Sequence, residues 1–302
     1  MSAQHLLQAL LSSRKYGGLC EQTLLRVARW AVQRAPSRRQ ALKMAKRKLH
    51  QISGAFTSPK DIAWIDQRVD SIASGTLSAA GELIPSGRSP ADGDEQLKGE
   101  ERFRSICSSV LRHHASTRER IPFLTELYAG LFEAAGGYPE SILDLACGLN
   151  PFSIPWMGIL PTTRYVPVDM DCRLVSVVNR FLSIQGREPC AACKDLLSFS
   201  SPHEFASLGD ADMVLLFKIL PSLEQQDKGA AETLLLSLSA RTIVVSYPTR
   251  SLSGKRRGME NSYARFMESI IRSREVSVAR LDFPSEIFFV LRNPGTSGEH
   301  GI

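Results

Sequence analysis

The sequence predicts an α/β chain: an all-helical N-terminal region followed by a Rossmann-like sheet of seven strands, the last pair antiparallel. Three observations carry that expectation. From Ser141 onward, short apolar runs alternate with stretches of helical spacing, which implies parallel strands joined by crossover helices. The last two runs are separated only by Pro284-Ser285, too few residues for a crossover, so they pair as a hairpin. Before Ser141 the apolar residues recur at helical spacing.

At 302 residues the chain can hold one large or two modest domains with a real core. No apolar run reaches the length of a membrane span, so no membrane partner is expected. The first residues, Met1 to Gln8, lack a charged n-region and a cleavage site, so they do not read as a signal peptide. Six cysteines are scattered in mostly apolar settings, which suggests reduced thiols and a cytoplasmic location. Cys190-Ala-Ala-Cys193 is the one C-x-x-C, with no second pair to complete a zinc site; packing is its simpler reading, and no metal is expected.

Residues 4–12 read as a short helix, broken by Ser13-Arg14-Lys15-Tyr16-Gly17-Gly18. Residues 21–34 return to helical spacing, with Leu24, Val27, Ala28 and Ala31 on one face. A third helix, about 37–52, carries a stripe of Leu42, Ala45, Leu49 and Ile52. Opposite that stripe lie Arg39, Lys43, Lys46 and Arg47. Residues 1–53 hold eleven Lys or Arg against one acid, Glu21; since the chain's net charge is +6, the remainder sums to −4. A solvated helix face normally alternates its signs, and like charges one turn apart cost stability. An anionic partner that offsets the repulsion is expected, and nucleic acid fits best.

A further helix is expected at 58–74. Residues 81–99, rich in Gly, Pro, Ser and Asp, read as a linker closing an N-terminal domain of residues 1–100. Helices near 101–114 and 117–135 occupy 101–140, the second opened by a capping box at Ser116-Thr-Arg-Glu119 with Pro122 in its first turns. The sheet domain then spans 141–292, with strands at 141–146, 164–168, 190–194, 212–217, 241–247, 275–282 and 286–292. Helices are expected near 153–159, 171–185, 202–208, 222–239 and 259–273, and residues 293–302 read as a frayed tail.

In a doubly wound sheet, ligands bind at the carboxyl ends of the strands. The first such end is Ser141-Ile-Leu-Asp-Leu-Ala-Cys-Gly-Leu-Asn-Pro151, a buried strand with one acid, Asp144, followed by Ala146, Gly148 and Asn150. Glycine lets a backbone pass close to a ligand. The form D-x-A-x-G lacks the later glycines of a dinucleotide fingerprint and points to S-adenosylmethionine (SAM). At the second end, Asp169-Met170 offers a carboxylate for ribose hydroxyls, Asp171 being the better N-cap for the helix that follows. At the third, Asp195-Leu196 suits an adenine amino group and ring face, with a plain turn acid as the competing reading. Asp144 reads as structural, tying down its loop.

After the fourth strand stands Lys218-Ile-Leu-Pro221, without the polar N-P-P-F/Y-like turn of amine methylation. Methylation of cytosine C5 needs a cysteine near the ends of the fourth or fifth strands, and Cys190 lies at the start of the third. His203 falls in the helix after the third strand, so no histidine reaches the expected cleft. With no acid–base pair, a nucleophile that already has a free lone pair fits, such as guanine N7; catalysis would rest on alignment.

Taken together, the motifs resemble the Arm/Rmt/Kgm-type aminoglycoside-resistance 16S rRNA methyltransferases, the FmrO family. They are Ser13-Arg-Lys-Tyr16, Lys48-Leu-His-Gln-Ile-Ser-Gly-Ala-Phe56, His114-Ala-Ser-Thr-Arg-Glu-Arg120, Asp144 to Pro151, Lys218 to Pro221 and Tyr247-Pro-Thr-Arg-Ser-Leu252. The resemblance implies a class I SAM-dependent methyltransferase sheet and methylation of guanine N7 in the decoding site of 16S rRNA, in the assembled 30S subunit, by a monomer. It implies that Arg118 holds the SAM carboxylate, with Arg120 structural or secondary. Ala146 and Gly148 would line the methionine part, Asp169 the ribose, and Asp195-Leu196 the adenine. Lys218 and Arg250 would face the RNA or order the cleft as positioning residues. The helical region would dock on rRNA through basic residues, the candidates being Arg14, Lys15, Arg39, Lys43, Lys46 and Arg47, with Arg250 and Lys255 from the sheet domain. Ser222 stands where many members have cysteine, and Ser253-Gly254-Lys255 replaces the more usual Gly-Gly-Arg. Residues 81–99 are longer and more acidic than the family pattern. The rival readings are a methyltransferase acting on a different rRNA base and an RNA-binding protein without turnover.

Overall fold

A computed structural model describes residues 2–53, 58–74, 93–199, 205, 207–249 and 259–293. Arg250, Lys255, His203, residues 81–92 of the expected linker, most of the expected helix 202–208 and the tail from 294 lie outside the described residues.

The N-terminal helices are α1 (Ala3–Leu11), α2 (Glu21–Arg34), α3 (Arg38–Ser53) and α4 (Pro59–Ser74). On α2 the expected face is buried, with Thr23 added to it. On α3 the buried row is Ala41, Ala45, Leu49 and Ile52; Leu42, expected in that row, packs half-buried at its edge. The small Ala41 and Ala45 let α3 come close to its neighbours, while the larger leucine covers the rim. At the start of α4, Ser58 and Asp61 exchange bonds: the Ser58 amide donates to the Asp61 carboxylate at 2.7 Å, and the Asp61 amide donates to the Ser58 hydroxyl at 3.3 Å. Pro59 takes the first helical position, where its missing N–H costs nothing.

Helix α5 (Gly93–Leu111) begins inside the expected linker, eight residues earlier than the predicted start at 101. The single helix expected at 117–135 is broken into α6 (Ala115–Arg118), a 3₁₀ turn at Ile121–Phe123 and α7 (Leu124–Ala135). His114, not Ser116, occupies the N-cap of α6, so the expected capping box does not form. Proline explains the break: the Pro122 ring crowds the Arg118 carbonyl and offers it no N–H, so the helix restarts beyond it.

The strands are β1 (Ser141–Leu145), β2 (Arg164–Asp169), β3 (Ala192–Cys193), β4 (Ala211–Phe217), β5 (Ala240–Pro248), β6 (Ser277–Phe283) and β7 (Glu286–Arg292). Their order is β3-β2-β1-β4-β5-β7-β6. The hairpin turns at Pro284-Ser285 as expected, and β7 runs antiparallel between β5 and β6. Strand β3 is two residues, shorter than expected, because a side chain competes for its backbone. Asn179 accepts from the Ala191 amide at 2.8 Å and donates to the Ala191 carbonyl at 3.1 Å. Between strands lie α8 (Ile154–Met157), α9 (Cys172–Ile184), α10 (Leu220–Gln226), α11 (Ala230–Ser237) and α12 (Met259–Arg274). Asp171 caps α9 through the Arg173 amide at 3.1 Å. The helix expected at 222–239 is split by Gly229, whose φ of +87° suits glycine and whose N–H meets the Glu224 carboxylate at 2.9 Å.

Cys172 and Cys193 form a disulfide, which corrects the expectation of six reduced thiols. Cys193 is level with Asp169 in the parallel register of β2 and β3, and Cys172 opens the helix just after β2, so their Cα atoms are 5.1 Å apart. Cys20, Cys107, Cys147 and Cys190 are not disulfide-bonded.

The chain divides into two compact units. The first comprises residues 1–121, 148–155 and 167–198; the second comprises 122–147, 156–166 and 199–302.

Candidate functional site

In the loop after β1, the backbone turns through the left-handed region twice, at Ala146 (φ +55°) and Gly148 (φ +50°). A Cβ built on Gly148 meets no heavy atom within 4 Å. Glycine therefore serves the backbone conformation and leaves open space beside it, rather than relieving a packing clash. The Gly148 amide donates to one oxygen of the Asp169 carboxylate at 3.0 Å, and the Asp171 amide donates to the other at 3.0 Å. Burial raises the Asp169 pKa above its ordinary value, while the amides of Asp171, Gly148 and Met170 pull it back down. Each carboxylate oxygen has a further lone pair, so a held carboxylate of this kind can still accept two vicinal hydroxyls.

Other expected residues are placed as anchors. Asp144 is 1% exposed and accepts a short hydrogen bond from the Tyr165 hydroxyl. Burial, then the adjacent Asp144 charge, pushes the Tyr165 phenol well above its ordinary value. Asn150, expected at the cofactor, is 2% exposed; its Oδ1 accepts from Arg120 Nη1 at 3.5 Å and from the Ser153 hydroxyl at 3.3 Å. Arg120 is buried as well, whereas Arg118, two residues earlier, is exposed.

Asp195 and Leu196 follow β3 as expected, Leu196 opening a 3₁₀ turn with Leu197 and Ser198. The Asp195 carboxylate is gripped by Arg26 of α2, through Nε at 2.8 Å and Nη2 at 3.3 Å. Nothing in the local sequence announced Arg26, which lies 169 residues away.

Within the second unit, Lys218 follows β4 with φ +58°, a strained backbone for a side-chain-bearing residue. Its amide donates to the Ser246 carbonyl at 3.2 Å and to the Ser246 hydroxyl at 3.0 Å. Its ammonium lies 3.3 Å from Glu286 Oε2, and the Ser246 hydroxyl donates to the other oxygen of Glu286. Glu286 is 0% exposed. Lys218 was expected; Ser246 and Glu286 were not, since only the β4-β5-β7 order brings them to it.

The basic candidates Arg14, Lys15, Arg39, Lys43, Lys46 and Arg47 are all exposed. Lys15 lies 3.3 Å from His50 Nδ1 and 5.5 Å from the centroid of Tyr16. Among the described residues, no group of three or more His, Cys, Asp or Glu could hold a metal ion, and no helix is long and apolar enough to cross a membrane.

The sheet order, with a left-handed glycine loop after β1 and an amide-held acid ending β2, defines the chain as a SAM-dependent methyltransferase of class I fold. The model of the family described as ribosomal RNA methyltransferase (FmrO) matches residues 91–290. The chain is 33% identical to the 16S rRNA (guanine(1405)-N(7))-methyltransferase of Micromonospora echinospora over 288 residues, 94% of each chain. It is 30% identical to the enzyme of that name from Serratia marcescens, over 98% of this chain and 100% of that one. The 16S rRNA methyltransferase RmtF, solved in complex with S-adenosyl-L-homocysteine, matches with a TM-score of 0.74 at 32% identity, covering 97% of this chain and 99% of that one. The chain belongs to the FmrO family of ribosomal RNA methyltransferases.

Proposed function

We propose that this chain transfers a methyl group from SAM to N7 of guanine 1405 of 16S rRNA, in the decoding site of the assembled small subunit, and so confers aminoglycoside resistance. The observation that carries this reading is similarity to enzymes of that name over 94% of the chain, with a loop that fits the cofactor. SAM, when bound, supplies an electrophilic methyl on a sulfonium. Gly148 would give it space, Asp169 would accept the ribose hydroxyls, Ala146 would line the methionine part and Leu196 the adenine, and exposed Arg118 would meet the carboxylate. N7 attacks through its own lone pair and no proton is removed. The chain's task is then to align the two reactants and exclude water, which can account for much of a barrier of this kind. Lys218 is held by Glu286 and acts as a positioning residue.

The exposed basic row of α3, with Arg14 and Lys15, would grip phosphates of the folded particle. A-form RNA hides guanine N7 in a deep groove, so the target base must be exposed or extruded, and shape rather than sequence guides docking. The enzyme would act as a cytoplasmic monomer on intact subunits. Small subunits incubated with the protein and SAM test the reading, by chemical cleavage at 7-methylguanine and primer extension across 16S rRNA. A new stop at guanine 1405 is expected; an unmodified guanine 1405, or a stop elsewhere, overturns it.

A further inference from the structure

The stretch Gly18 to Arg26 makes bonds that RNA docking does not require. The Cys20 amide donates to the Met170 carbonyl at 2.7 Å, and the Cys172 amide donates to the Gly18 carbonyl at 2.9 Å. Together they close an antiparallel bridge between Leu19 and Asp171. At Gly18 the Arg173 side chain lies across the backbone, and a Cβ there, 2.3 Å from Arg173 Nε, would require that side chain to move. In the first turns of α2, Gln22 accepts from the Ser198 hydroxyl at 3.1 Å, and one turn on Arg26 grips Asp195. One short stretch of the N-terminal helices therefore holds both 169–173 and 195–198. Those segments follow the carboxyl ends of β2 and β3, where the nucleoside half of a ligand lies in a doubly wound sheet.

We propose that Arg26 is a positioning residue for the nucleoside end of the cofactor, acting through Asp195 without touching the cofactor itself. The proposal rests on the SAM reading above. Asp195 is 4% exposed, and its Oδ1 also accepts from the Leu197 amide at 3.1 Å. A carboxylate so deeply set needs its cationic partner, and a guanidinium fork fixes its plane as well as its charge. Fixing that plane fixes the Leu196-Leu197-Ser198 turn, and with it the surface offered to an adenine ring. Without the fork, the carboxylate turns toward water and the turn follows. Asp195 is thus a strut for the turn, whether or not its carboxylate also meets the adenine amino group.

The test uses calorimetric titration of the full-length protein with S-adenosylhomocysteine and with 5′-methylthioadenosine, which carries the nucleoside half alone. Arg26→Gln should weaken both ligands by about tenfold, within the usual range of coupling between sites. Arg26→Lys should recover part of the loss, because charge returns without the fork. In turnover the loss should fall on KM for SAM and not on kcat. Arg26→Gln that binds both ligands as tightly as the wild type overturns the proposal. So does a loss confined to S-adenosylhomocysteine, which would place the effect at the amino-acid end. If Arg26→Gln does not fold, Arg26→Lys decides: unchanged affinity overturns the proposal, and partial loss for both ligands supports it. A wild-type protein that binds neither ligand overturns the SAM reading instead.

Discussion

Replacing Glu286 with Gln would test what keeps Lys218 in its strained place. The substitution keeps the size of the side chain and an oxygen for the Ser246 hydroxyl, but removes the charge opposite the Lys218 ammonium, 3.3 Å away. Breaking a buried ion pair from one side costs about 3–5 kcal/mol. The Lys218 side chain is 14% exposed and can turn partly toward water, so we expect the lower end, about 3 kcal/mol. At about 2.1 cal/mol/K of unfolding entropy per residue, a chain of 302 residues shifts by roughly 1.6 °C per kcal/mol, so the thermal midpoint should fall by about 5 °C. A cycle with Lys218→Met isolates the pair, since removing both charges leaves neither stranded. Calorimetric midpoints of the four proteins should give a coupling of about 1–3 kcal/mol. Effects that add to within about 0.5 kcal/mol would refute the argument that Glu286 holds Lys218. The single variants should also lose methyl transfer while still binding S-adenosylhomocysteine.

Other outcomes follow from the same structure. Burial raises the Asp169 pKa above its ordinary 3.8, so the ligand-free protein should lose stability as pH rises from 3.8 through the raised value. Affinity for S-adenosylhomocysteine should rise over that same window, as the ionised acceptor forms; calorimetry across pH checks it, and Asp169→Asn should flatten the profile. Charge reversal at exposed Lys43 and Arg47 should weaken subunit binding and reduce its log–log salt slope by about 0.7–0.9 per lost phosphate contact; an unaltered slope removes that role. Alkylation of the denatured, unreduced protein should label four cysteines, and six after reduction; six at the outset would exclude the Cys172–Cys193 bond. Thr23 is fully buried and its hydroxyl has no partner among the described residues, so Thr23→Val should leave stability unchanged or raise it by up to about 1 kcal/mol; a clear loss in calorimetry would show a hidden partner.

What could be read from the sequence was local. Periodicity located all seven strands to within two residues at each end, because short apolar runs alternate there with helical spacing or, at the last pair, with a tight turn. The basic row on α3 was equally plain, since its charges and its buried stripe share one helical period. Errors arose where a second rule overrode the first. A correct pattern of apolar spacing over 117–135 was broken by the ring of Pro122, and Asn179 took backbone bonds that would have lengthened β3. At the candidate site, Gly148, Asp169 and Lys218 announced themselves by position after a strand. Arg26, Ser246, Glu286 and Tyr165 did not, because each acquires its role from a partner 21 or more residues away. The Cys172–Cys193 pairing was hidden for the same reason.

The compact units are not consecutive pieces of chain. Residues 148–155 and 167–198, which carry Gly148, Asp169 and Asp195, cluster with the helices of 1–121 and not with the rest of the sheet domain. A chimera joined near residue 140 would exchange the helices and leave those loops behind with foreign partners at Gly18, Cys20, Gln22 and Arg26. Recombination between relatives at that junction is therefore handicapped. A transplant of the N-terminal helices should therefore carry residues 148–155 and 167–198 with it.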